Sequence, residues 1–73
     1  MKVDTASFEA TQGHKPHGYG EWGFKFYRPG KWSRIADVEL GTSSVSRAFF
    51  TDALEGAKVY AEFVGATRIE VVA

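Results

Sequence analysis

The chain has no cysteine, two prolines, one methionine and no net charge. Each scarcity excludes something. Without cysteine there is no disulfide framework and no thiolate cage for a metal, so folding rests on packing alone. Without an excess of Lys and Arg, general binding to polyanions lacks its driving force. No apolar run nears the roughly 18 residues of a membrane helix, and Met1 to Ala10 lacks the apolar stretch of a secretory signal. These absences predict a soluble, cytoplasmic protein. Its 73 residues predict a single domain over 1–73, because a second would leave too little apolar surface for either.

What is present is aromatic: two Trp, three Tyr and six Phe, with eight glycines. Val3 to Ala10 alternates, with Ala6, Phe8 and Ala10 on one side, and predicts a half-buried strand. The segment 11–20 (TQGHKPHGYG) predicts a long loop. Glu21 to Tyr27 gives the clearest strand, with Trp22, Phe24 and Phe26 sharing the core face. Arg28-Pro29-Gly30-Lys31 predicts a tight turn, followed by a strand within 32–40 with Ala36, Val38 and Leu40 inward. Gly41 to Ser44 predicts a second turn before a short strand over 45–50. Adjacent Phe49 and Phe50 cannot both enter the core from one strand.

A helix is expected from about Ala53 to Val64, with Asp52 and Glu55 at capping-box spacing and Gly65 as a left-handed cap. Leu54, Ala57, Ala61 and Val64 form its core stripe. Val59, Tyr60 and Phe63 widen the apolar surface beyond what one sheet covers. Thr67 to Val72 predicts a last strand, with Ile69 and Val71 inward. The expected architecture is α+β: a small antiparallel β-meander with one helix packed on one face, in the order β-β-β-β-α-β.

Chemical motifs are sparse. Gly18 to Gly23 matches G-x-G-x-x-G, but a strand follows where a dinucleotide site needs a helix. That match reads as accidental, and Gly23 reads as a point of close packing. His14 and His17 lack the further ligands of a zinc site, so no metal and no cofactor is expected. Asp37 and Glu39 would share a strand face, but no nucleophile or enclosed cleft accompanies them, and no enzymatic activity is expected.

The densest feature is a basic and aromatic stretch over 14–34, in which Glu21 is the only acid. Because Trp22, Phe24 and Phe26 belong to the core, the hairpin tip remains. It predicts a partner-binding site of Tyr27, Arg28, Lys31, Trp32 and Arg34, with Tyr19 on the preceding loop. The expected partner is a larger protein or nucleoprotein complex. The alternative is nucleic acid held by the same hairpin, and a homodimer through the helix or an edge strand is a further option. Charge is also divided. Six basic and three acidic residues precede Ala36, and three basic and six acidic follow, which predicts segregated basic and acidic regions.

Two resemblances add to this. Gly20-x-Trp22-x-Phe24, the Pro29-Gly30-Lys31-Trp32 turn and the helix from Ala53 resemble the sheet-based DNA-binding modules of plant transcription regulators and integrase arm-binding domains. That resemblance implies a sheet that contacts DNA through Arg and Lys, where this one carries acids. In size and layout the chain is similar to small inhibitors from phages and mobile elements, anti-CRISPR proteins among them. That similarity implies a non-enzymatic protein acting by occupying a partner's surface.

Overall fold

The computed structural model describes residues 1–31 and 36–72. Six elements follow one another: β1 (Lys2–Asp4), α1 (Ala6–Gln12), β2 (Tyr19–Arg28), β3 (Val38–Phe49), α2 (Phe50–Val64) and β4 (Arg68–Val72). They form one four-stranded sheet in the order β1-β4-β2-β3. The pairs β2/β3 and β2/β4 are antiparallel, and β1 joins β4 in parallel. The small α+β class, the antiparallel pairing of three strands and the helix on one face are as expected. The element order is not.

The first correction concerns 3–10, where the expected strand is divided. Only Lys2–Asp4 is extended, and 6–12 is a helix. The Asp4 carboxylate accepts the Ala6 N–H at 3.0 Å, which turns the chain, and Gly13 ends α1 at φ 77°. The apparent alternation depended on Ala6 and Ala10, both exposed. Phe8 alone is buried, and one buried residue in seven suits a short covering helix as well as a strand.

The second correction concerns 41–44, expected to turn. Instead β3 runs unbroken through Gly41-Thr42-Ser43-Ser44, because each of the four pairs with a residue of β2. Cross-strand pairing overrides local turn composition. The cost appears as two irregularities. Leu40 is an extra residue between the pairs Phe26–Gly41 and Tyr27–Glu39. Ser46 and Arg47 together face Glu21, between the pairs Gly20–Ala48 and Trp22–Val45. Arg47 takes φ 58° there, a left-handed conformation that costs an L-residue about 1–2 kcal/mol. Arg47→Gly should therefore stabilise the protein by about 0.5–1 kcal/mol, once glycine's freedom in the unfolded chain is set against the relief. Thermal unfolding checks this: the midpoint should rise, and an unchanged or lower midpoint contradicts the assigned strain.

Trp22, Phe24 and Phe26 lie on one face of β2 as expected, at 6%, 0% and 0% exposure. Above them α2 presents Ala53, Ala57 and Ala61, all buried, and this large-on-small pairing lets the helix sit close to the rings. Phe50 packs on both Trp22 and Phe24, and Tyr60 meets Phe26 edge-on at 4.9 Å. Phe8 brings α1 onto Trp22 from the same side. Ile69 and Val71 complete the layer from β4.

The helix α2 begins at Phe50, not Ala53. Phe49 is its N-cap without a side-chain bond, and the Phe50 N–H is held by the Gly18 carbonyl at 2.8 Å. Asp52 therefore lies in the first turn, where it complements the helix dipole, and the expected capping box does not form. At the other end Gly65 is left-handed at φ 79° and Ala66 N–H donates back to Ala61 O at 2.8 Å, the Schellman arrangement. No helix among the described residues is long and apolar enough to cross a membrane.

Candidate interaction surface

The structure divides the expected site. Tyr27, Arg28 and Lys31 lie at one end of the sheet, whereas Tyr19 starts β2 at the other. Nine residues of strand separate Tyr19 from Arg28, roughly 30 Å. Trp32 and Arg34 lie outside the described residues. Arg28 and Lys31 are exposed, and Arg28 Nη1 donates to the neighbouring Pro29 carbonyl. Tyr27 is half-buried beneath Arg68, whose Cζ stands 4.1 Å from the ring centroid. Its face is already used by a cation.

Arg68 organises the sheet face opposite α2, where Ser7 of α1 also donates to Glu70 at 3.3 Å. It donates to Asp37 through Nε at 3.1 Å and reaches Asp4 and Glu70 through Nη1 at 3.4 and 3.5 Å. Burial works against its charge, yet hydrogen bonds and charges from Asp37 and then Glu70 outweigh it and raise its pKa above the ordinary value. A raised pKa contributes stability at every pH below arginine's ordinary range, so these ion pairs favour the folded state throughout the neutral range as long as their carboxylates are ionised. Lys25 shares the face, opposite Glu70 and Thr42. The expected segregation of charge is therefore not kept here: Lys2, Asp4 and Lys25 from the first half stand among Arg68 and Glu70 from the second. Asp37 lies outside β3 and binds Arg68, so it shares no strand face with Glu39.

The smaller motifs resolve plainly. A Cβ on Gly23 would lie 2.9 Å from Val72 Cγ2, so this glycine serves close packing. The His14 and His17 rings lie 5.0 Å apart, with His14 against Phe8. Among the described residues, no group of three His, Cys, Asp or Glu is placed to hold a metal.

A different surface emerges between α2 and β3. Along this stretch β3 contributes the modest side chains of Thr42, Ser43, Val45 and Ala48, with Leu40 packed on the core beyond it, and α2 answers with Ala53, Gly56 and Ala57. The rings of Trp22, Phe24 and Phe26 fill the space between α2 and β2, and among the described residues Tyr60 is the only ring lining the space over β3. The result is an open groove of about 600 Å³, with Thr42 and Tyr60 toward one end and Asp52 toward the other. Gly56 lies mid-helix, and a Cβ there would meet nothing within 4 Å. Its flank continues through helical spacing to Val59, Tyr60 and Phe63, exposed at 66%, 43% and 87%. Tyr19 and Phe49 form a second exposed aromatic contact, edge-to-face at 5.2 Å. The excess of Val59, Tyr60 and Phe63 was visible in the helical pattern. The groove was not, since it depends on how far the edge strand lies from the helix.

Fold and surface together define a small α+β domain with an open apolar flank. No family model matches the chain, and no curated protein or solved structure matches it.

Proposed function

We propose that this chain is a non-enzymatic binding protein that docks its α2 flank and groove onto another polypeptide and blocks the surface it covers. The supporting observation is the run of Val59, Tyr60 and Phe63, three large apolar side chains left exposed on one helix flank. Contiguous apolar exposure beside a groove is the usual mark of a docking surface, and Tyr and Phe are favoured at interface centres. An inhibitor of the phage or mobile-element kind, acting in the cytoplasm, is the specific form that size and layout suggest. Nucleic-acid binding is the second reading, favoured by exposed Arg28 and Lys31 at the far end of the sheet.

The test combines two arms. Binding to short DNA and RNA across a salt series should be absent. Micromolar affinity with a steep salt slope, lost in Arg28→Glu with Lys31→Glu, would establish the second reading instead. A benzophenone side chain replacing Phe63 should crosslink to a polypeptide in host extract. The double variant Val59→Asp with Phe63→Asp should weaken binding to that polypeptide by about 1,000-fold, two hot-spot losses of about 2 kcal/mol each. Both residues are exposed, so the fold should persist. Undiminished binding by the folded variant would overturn the reading.

A further inference from the structure

The outer edge of β3 is open: β3 ends the sheet order, and no strand among the described residues pairs beyond it. Such edges are normally blunted by charge, proline, bulges or a covering element, and here, among the described residues, only bulges are present, one at each end of a regular stretch. Between its two irregularities, at Leu40 and at Ser46 with Arg47, this edge reads Gly-Thr-Ser-Ser-Val over 41–45. It carries no charge and no proline. The irregularities limit regular pairing to about five residues, or roughly 17 Å.

We infer that the partner contributes an extended segment, which adds to the outer edge of β3 and sends alternate apolar side chains into the groove beneath α2. This rests on the binding-protein reading and names its ligand. Three observations select that occupant. A strand added at about 4.8 Å from β3 would turn every second side chain toward the groove, below Gly56, Val59 and Phe63. The groove's volume of about 600 Å³ suits a few side chains, whereas a helix of roughly 10–12 Å diameter is too thick for it. A second copy pairing edge to edge would bring only its own Ser43 and Val45 to the seam, lengthening the groove without filling it. Charge adds one specification. Among the described residues, Asp52 is the only carboxylate or basic side chain lining the groove, so the segment should carry a Lys or Arg near that end.

Gly56 is the discriminating position. A mid-helix glycine costs about 1 kcal/mol relative to alanine, and no described atom of the protein uses the space it leaves. The added segment uses it. Strand addition of this kind draws affinity from main-chain hydrogen bonds and specificity from pockets for alternate side chains.

The experiment uses the whole chain, immobilised, and a display library of random linear peptides about seven residues long. Enriched peptides should alternate apolar and polar residues, carry Lys or Arg, and lack internal proline. N-methylating alternate amides in one phase should weaken the best peptide by about tenfold, and in the other phase should not. Gly56→Leu should abolish peptide binding while circular dichroism shows the fold retained, and Asp52→Asn should relax the preference for a basic residue. Failure to enrich any sequence, enrichment of i, i+3, i+4 helical patterns, or full binding by folded Gly56→Leu would each overturn the inference. So would a stable dimer in sedimentation whose formation requires the β3 edge. If the Phe63 double variant loses its crosslinked partner while Gly56→Leu keeps it, the binding-protein reading stands and the strand-addition inference falls.

Discussion

Phe24→Ala should leave the domain close to unfolding at room temperature. Phe24 is fully buried, stacked on Phe50 at 6.5 Å, and opposite Ser43 and Val71 in the sheet. Truncating such a ring costs about 3–5 kcal/mol, through lost transfer energy and the cavity left behind. At 0.05–0.15 kcal/mol per residue, a chain of this size has roughly 4–11 kcal/mol in total. The neighbouring groove sharpens the effect, because Ser43, Val45 and Ala48 offer little bulk to collapse into the vacancy. Phe63→Ala is the control: the same chemistry at 87% exposure should change stability by no more than about 0.5 kcal/mol. Urea titrations of the two variants make the comparison. Equal losses would mean that the core and the exposed flank have been wrongly distinguished.

Gly23→Ala should cost about 1–2 kcal/mol, opposite in sign to the usual gain from replacing a strand glycine. The new methyl would lie 2.9 Å from Val72 Cγ2 and 3.6 Å from the Val72 carbonyl oxygen. Val72 has a stiff, β-branched side chain, and its strand pairs directly with Gly23, so strand or rotamer must shift. Val72→Ala removes the clashing methyl. Combined with Gly23→Ala, it should recover most of the loss, giving a coupling of about 1 kcal/mol or more in a double-mutant cycle. Strict additivity would mean that the glycine is required for another reason.

What was legible in the sequence follows from how local each signal is. Trp22, Phe24 and Phe26 alternate without interruption, so strand and buried face were both readable. Gly65 after an apolar helix identified its end, and Ile69 and Val71 identified the inner face of β4. The helix start was misplaced because Asp52 resembles a cap, whereas the Phe50 N–H is satisfied by Gly18 across the chain. Gly41 to Ser44 resembles a turn, and only pairing with β2 reveals it as strand. For the surface, the apolar excess of Val59, Tyr60 and Phe63 was readable from helical spacing. Its partner, the groove over Val45 and Ala48, arises from sheet order. The hairpin tip drew attention through composition. Yet Tyr27 is covered by Arg68, from a strand forty-one residues away in sequence, and Tyr19 stands at the other end of β2.

Strand addition requires an open outer edge on β3 beside the helix flank, and amide hydrogen exchange tests this on the protein alone. Within 41–45, amides directed toward β2 should be protected, and those directed outward should exchange as fast as exposed loop amides. Uniform protection across 41–45 in the free protein would contradict it, because the edge would already be covered.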